Sequence, residues 1–256
     1  MGPIRRALLK SLLLSAVKEH RAAGLPQLAG LAFDHITAKI HLDGRFADAE
    51  IAALERHVFP KLWKGTALDI GGNIGNHAVA FAPHFEAVHS FEPNTRALDL
   101  LRLNAKLADN ITVHGFGLSN SDKTLTVTEP EGNLGGTGSH ARGGGREVQL
   151  PLRTLDSALA ELGLTGPITF AKIDVEGHEP EAIEGARATL FEHKPVLGLE
   201  IDRRQVKGGT SPAVEAARAL GYTKLFEMGA GGLEQVTSLK AKNYPLLLVT
   251  AKDELG

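Results

Sequence analysis

The segment "TALDIGGNIGNHAVAFAPHFEAVHSFEPN", residues 66–94, constrains the fold more than any other part of the chain. An apolar run ends in a glycine loop, a helical pattern follows, and a second apolar run closes on an acidic residue. That order is how α/β proteins hold a nucleotide-containing ligand at the carboxyl ends of their strands. The alternation then continues. Strands are expected near 66–70, 87–91, 111–115, 168–174 and 195–201, and helices near 75–83, 95–107, 179–190 and 212–220. Such a series predicts a parallel sheet with helices on both faces.

One interval interrupts it. "KTLTVTE" (123–129) and "REVQLPL" (146–152) read as two extra strands around the glycine-rich segment "PEGNLGGTGSHARGGG". Residues 129–145 are expected to be a flexible loop, either a passive surface loop or a flap over a site. At the far end, "YTKLFEM" and "YPLLLVTAK" read as two strands whose connection is too short for a crossover helix, so they should pair antiparallel.

The glycine loop fails two familiar tests. With Gly71 as the first glycine of G-x-G-x-x-G, the other two positions hold Asn73 and Asn76, so the dinucleotide fingerprint is absent. No Lys-Ser or Lys-Thr follows, so it is not a phosphate-binding P-loop. The pattern that fits is D-x-G-x-N-x-G, from Asp69 to Gly75, the acid-and-glycine loop of S-adenosylmethionine sites. That cofactor has no phosphate, but it has an ammonium group that an acid such as Asp69 can serve and a ribose diol that a carboxylate can accept. Glu92, which closes the second strand, is the candidate for the diol; alone it would read as a solvated strand end.

Composition narrows the class further. A hydrophobic fraction of 43% supports a sizeable core, and a net charge of −2 lacks the basic surplus usual in nucleic-acid binders. The chain has no cysteine, which excludes disulfides, thiolate metal sites and a cysteine nucleophile. The start, "MGPIRRALLKSLLLSAVKEH", resembles a signal peptide, but Lys10 interrupts its apolar run and no small-x-small site precedes Lys18. Leu8, Leu9, Leu12, Leu13, Ala16 and Val17 share a helical face, so an amphipathic helix packed on the domain or on a partner is expected. No later segment approaches the roughly 18 apolar residues of a membrane span. A cytoplasmic protein with no stable membrane insertion and no nucleic-acid partner is therefore expected; the oligomeric state is open. "AKIHLDG" (38–44) alternates like a strand, and "DAEIAALERHVFPKL" (48–62) has helical spacing closed by Pro60.

Taken together, "DIGGNIGNH", "FEPN", "GLSN", "TLD" and above all "KIDVEGHEPEAIEGA" resemble the FkbM family of S-adenosylmethionine-dependent methyltransferases, over about residues 60–201. The resemblance implies the Rossmann-like class I methyltransferase fold, an α/β seven-stranded, mostly parallel sheet with an antiparallel terminal strand pair. Here N-terminal helices and an inserted β-hairpin would be added. It implies a domain over 61–256, with residues 1–60 an extension packed on the core. Carried over by position, Asp69, Gly71, Gly72, Asn73, Gly75 and Asn76 would line the methionine part of the cofactor, and Glu92 would hold the ribose. Pro93 and Asn94 would shape the adenine edge, and Gly117 and Leu118 would meet the adenine ring. Asn104 matches a family asparagine whose task is functional or structural. Gly72 stands where alanine is common, and Asn120 where aspartate is common. The implied activity is O-methylation of a small-molecule or glycan acceptor, such as a sugar, a glycolipid or a natural product.

An alcohol must lose its proton during or just after attack, so a base should stand at the strand ends beside the methyl group. "FAKIDVEGHE" puts Asp174, Glu176 and His178 there, although each has a plain alternative as a helix cap, an amide acceptor or a loop histidine. His77 and His140 are outside candidates. Glu200 and Asp202 add carboxylates to the same mouth. Such a ring is compatible with Mg²⁺, but no ligand signature of fixed spacing accompanies it, so metal dependence is not expected. A nucleotide-dependent oxidoreductase or a non-catalytic cofactor-binding module are the competing readings.

Overall fold

The computed structural model describes residues 2–32, 34–130, 145–164, 166–229 and 232–252. The chain opens with α1 (Pro3–Ala22), α2 (His35–Asp43) and α3 (Asp48–His57), followed by β1 (Thr66–Ile70), α4 (Asn76–Phe81), β2 (Ala87–Phe91), α5 (Thr95–Asn104) and β3 (Ile111–His114). Next come β4 (Gly117–Leu118), β5 (Lys123–Pro130), β6 (Gly145–Arg153), α6 (Leu155–Ala158) and β7 (Ile168–Ile173). The remainder is α7 (Glu179–Glu184), α8 (Arg187–His193), β8 (Val196–Ile201), α9 (Pro212–Arg218), β9 (Lys224–Gly229), β10 (Gly232–Val236) and β11 (Tyr244–Thr250).

Eight strands form the main sheet in the order β10-β9-β11-β8-β7-β1-β2-β3. The five from β8 to β3 are parallel, whereas β11 runs antiparallel to both β8 and β9. Apart from the edge strand β10, which hairpins onto β9, this is the class I methyltransferase sheet. Chain order reverses between β1 and β7, and open α/β sheets place their ligands at such a switch point. Strands buried on both faces divide their side chains between two cores. Leu68 and Ile70 of β1 enter one core and Ala67 the other; Ile173 of β7 sides with the first and Phe170 with the second. The second core includes a cluster of Phe59, Phe81, Phe85 and Phe170 with ring centroids 5.0–6.4 Å apart.

The inserted hairpin is present as β5 paired antiparallel with β6, joined by the short β4 into a separate three-stranded sheet. Most of the 129–145 segment, His140 included, lies outside the described residues.

Three readings need correction. Residues 38–44 are not a strand but part of α2. Asp34 caps that helix by accepting the amides of Ile36 and Thr37, and Gly44 ends it with φ of 87°. These capping signals outweigh a short alternation. The helix expected over 179–190 is two helices, α7 and α8, separated at Gly185. A Cβ on Gly185 would meet the Ser119 carbonyl oxygen, so the chain passes too close there for any side chain. Of the two alternatives for the leucine face of α1, packing on the domain is overturned: no residue of that helix is buried.

Candidate active site

The carboxyl end of β1 turns sharply into the glycine loop. Gly71 has φ of 87°, and a Cβ there would sit 1.9 Å from the Asp174 carbonyl oxygen. Glycine is therefore required where the loops after β1 and β7 cross. The amides of Gly71 and Gly72 donate to the Phe91 carbonyl, and the Asp174 amide donates to the Ile70 carbonyl. These bonds tie three strand ends into one rim.

That rim opens into a cavity of about 740 Å³. It is lined by Gly71, Gly72, Asn73, Asn76, Glu92 and Pro93 on the β1–β2 side, and by Asp174, Glu176 and His178 on the β7 side. Gly117 and Leu118 also face it, as do Leu125, Val127, Leu150 and Leu152 of the inserted sheet. Most of the residues singled out from sequence thus converge on one space. Asp69, Gly75 and Asn94 stand behind its wall, and Glu200, His77 and Phe46 join it.

Glu92 is 8% exposed, and its two carboxyl oxygens each accept one backbone amide: Oε2 from Asn73 at 2.9 Å and Oε1 from Asn94 at 2.8 Å. Burial pushes its pKa up to about 7, against the opposing pull of those two bonds. Each oxygen keeps a free lone pair after one amide bond. Asp69 is buried beneath the loop, accepts from Ser90 Oγ at 2.9 Å, and is likewise raised by burial.

Two predicted residues hold structure together. Asn76 clamps the Phe46 backbone, with its Nδ2 donating to the carbonyl at 2.9 Å and its Oδ1 accepting the amide at 3.0 Å. Asn94 caps α5 by accepting the Arg96 amide. Asn104, similarly, donates to the carbonyls of Ala29 and Ile74 and accepts the Ala29 amide. Both Asn76 and Asn104 pin the N-terminal segment to the core.

On the β7 side, Lys172 is the residue that sequence reasoning missed. Its Nζ lies 2.6 Å from Asp174 Oδ2, and the side chain is 5% exposed. The signal was a lone lysine inside the apolar run "ITFAKI", because a buried lysine needs a partner. Burial raises the Asp174 pKa, but the Lys172 ammonium and a hydrogen bond from Glu200 hold it well below the carboxylate range. Glu200 carries the complementary shift, up to about 9, from burial and that shared bond. Glu176, at φ of 54°, is pushed up to about 7 by burial and by the Asp174 charge. His178 Nε2 is 2.9 Å from Ser119 Oγ, its Nδ1 is 3.6 Å from Glu181, and burial lowers its pKa.

A second cavity, of about 660 Å³, adjoins the first. The two share Phe46, His77, Asp174 and Glu200; the second adds Lys172, Lys39, Asp43, Asp48 and Glu50 from the N-terminal segment and its strand neighbours. Burial draws the His77 pKa well below the ordinary imidazole value, and the Lys172 charge draws it lower. The ring is thus neutral at physiological pH. His178 borders only the first cavity. Among the described residues no group of three or more His, Cys, Asp or Glu side chains is arranged to hold a metal ion.

A parallel sheet with an antiparallel β11, a glycine loop after β1 and an acid at the end of β2 define a class I methyltransferase fold. Within that class, the model of the methyltransferase FkbM domain matches residues 69–223, more than half of the chain, and the chain belongs to that family. It is also similar to the hexuronic acid methyltransferase AglP of Haloferax volcanii, with 32% identity over 124 residues, 48% of this chain and 50% of the relative. The chain therefore spans about half the length of the curated relative it matches. Among solved structures, a methyltransferase FkbM from Methylobacillus flagellatus aligns with a TM-score of 0.46 and 17% identity over 94% of this chain and 58% of that one. The O-methyltransferase from Bacillus cereus solved with S-adenosylhomocysteine aligns with a TM-score of 0.44 and 18% identity, covering 94% and 90%.

Proposed function

We propose that the chain is an S-adenosylmethionine-dependent methyltransferase that methylates a hydroxyl of a sugar-containing acceptor. The observation that carries this reading is the meeting of two cavities at His77, Asp174 and Glu200, one walled by the glycine loop and Glu92 and the other by the N-terminal segment. Residues 61–256 are assigned as the catalytic domain and residues 1–60 as an extension whose α2 and α3 wall the acceptor side. The relative named for hexuronic acid methylation supports a sugar as the acceptor.

The residues present fit the cofactor. Gly71 and Gly72 line the cavity with backbone, their Cβ positions being closed off by Asp174 and Ser90 of the protein itself, and the Glu92 carboxylate retains an acceptor lone pair on each oxygen for a ribose diol. Asp69 contributes negative charge below the loop, and Leu118, Leu125 and Leu152 offer an apolar face for a flat heterocycle. When bound, S-adenosylmethionine supplies an electrophilic methyl group.

What the protein adds is alignment and a destination for one proton. Positioning alone supplies much of the rate of a displacement of this kind. His77, neutral and at the seam, takes the proton of the acceptor hydroxyl on its unprotonated ring nitrogen. Asp174, fixed and kept charged by Lys172, orients the hydroxyl, and the imidazolium formed on His77 gains from that nearby carboxylate. Glu176 and His178 stand on the cofactor side. Transfer of labelled methyl groups from S-adenosylmethionine into a fractionated extract of the native host tests the reading. Label in a saccharide fraction supports it; label confined to protein or nucleic acid overturns the acceptor class.

A further inference from the structure

Helix α1 is twenty residues long and none of them is buried. Leu8 and Leu12 are each 59% exposed, and Leu9 and Leu13 also face solvent. These are two adjacent rows at four-residue spacing, an apolar surface that the other described residues do not cover. The helix touches the body chiefly through α2, with Leu25 and His20 lying against Gly44.

Its charge is as unusual as its exposure. The helix holds five basic residues, Arg5, Arg6, Lys10, Lys18 and Arg21, against one acid, Glu19, in a chain of net charge −2. Arg6 and Lys10 form a row of their own beside the leucines. A second copy of the same helix would bring like charge against like charge, so self-association through this face is opposed. A surface that is apolar just below a layer of negative charge satisfies both the leucines and the basic side chains. Among the described residues no helix is long and apolar enough to cross a membrane, which leaves α1 to lie in the plane of the headgroups.

We propose that α1 docks the protein peripherally onto an anionic lipid surface, with its leucine rows among the acyl chains and Arg6 and Lys10 at the headgroups. The assignment stands on α1 alone and does not depend on the methyl-transfer reading.

The test is co-sedimentation of the full chain with vesicles of equimolar phosphatidylglycerol and phosphatidylcholine, and with phosphatidylcholine alone. Binding is expected to the anionic vesicles, at least tenfold weaker to the neutral ones, and weakened by added salt. Leu8→Ser with Leu12→Ser, and separately Arg6→Glu with Lys10→Glu, should each lower it at least tenfold. All four side chains are exposed, so unchanged thermal unfolding is expected and confirms folding. Absence of binding to anionic vesicles overturns the proposal. So does equal binding to both vesicle types, or a sedimentation-velocity dimer that Leu8→Ser with Leu12→Ser converts to monomer.

Discussion

The Lys172 ammonium stands 2.6 Å from Asp174 Oδ2, two residues apart across the end of β7, where the two cavities meet. Lys172 is buried and Asp174 half-buried, so the lysine depends on its partner far more than one in a surface ion pair would. Lys172 holds Asp174 charged, while burial above all keeps Glu200 protonated and the neighbouring His77 neutral.

Lys172→Met should therefore destabilise the fold at neutral pH, by less than the roughly 3–5 kcal/mol lost at a fully buried pair, because the half-buried carboxylate left without its counter-charge keeps some access to water. The pH dependence should also change sign. In the native chain the Asp174 pKa is depressed, so its contribution is present above the unfolded carboxylate value and fades only in strong acid. Without Lys172, burial raises that pKa, so the variant should be most stable in acid and weaken as pH rises. Chemical denaturation midpoints across about pH 4 to 8 measure this. A variant with unchanged midpoints would remove the pair from this role.

His77→Ala should lower turnover about 10²–10⁴-fold with S-adenosylhomocysteine affinity nearly intact, the usual scale for a positioned base. Because its pKa is drawn well below the ordinary imidazole value, native activity should fall only under acid conditions and stay level through neutrality. His178→Ala is the control. If that substitution, and not His77→Ala, flattens the pH profile, the base sits on the cofactor side.

Asn76→Ala removes both hydrogen bonds that fix the Phe46 backbone and should cost about 1–3 kcal/mol. Phe46 leads directly into Ala47, Asp48, Ala49 and Glu50, which line the second cavity and not the first, so KM for the acceptor should rise more than Kd for S-adenosylhomocysteine. Thermal unfolding and steady-state kinetics read the two effects, and equal changes in both constants would contradict the clamp.

Much of this arrangement was legible from short sequence signals, and the failures have physical causes. The loop from Asp69 to Gly75 and the acid at Glu92 sit at strand ends, where type and spacing are dictated by the ligand side of the sheet. Gly71, Gly72, Asn73 and Glu92 line one cavity, with Asp69 and Gly75 behind its wall. Residues 38–44 misled because a short alternation is compatible with either element, and the Asp34 cap that decides the matter lies outside the run. Strand β10 hides in "GLEQV", which is polar enough for an edge strand and carries little apolar signal. Lys172 carries no motif of its own, and the one signal it gives is a lysine inside a buried strand. His77 ranked low because its place at the seam depends on α2 and α3, whose packing no local motif encodes.

The account rests most heavily on Glu92 as the ribose acceptor. Calorimetric titration with S-adenosylhomocysteine, in native chain and in Glu92→Ala, tests it most directly. One site per chain is expected. Loss of two charge-assisted bonds, each about 1.5–3 kcal/mol, should weaken binding about a hundredfold or more in the variant. Since Glu92 titrates near pH 7 when free and is favoured as the carboxylate by donor hydroxyls, native affinity should fall as pH drops below about 7. Glu92→Gln should lack that dependence. Equal affinity in Glu92→Ala, or heat with NAD and none with S-adenosylhomocysteine, would contradict the account.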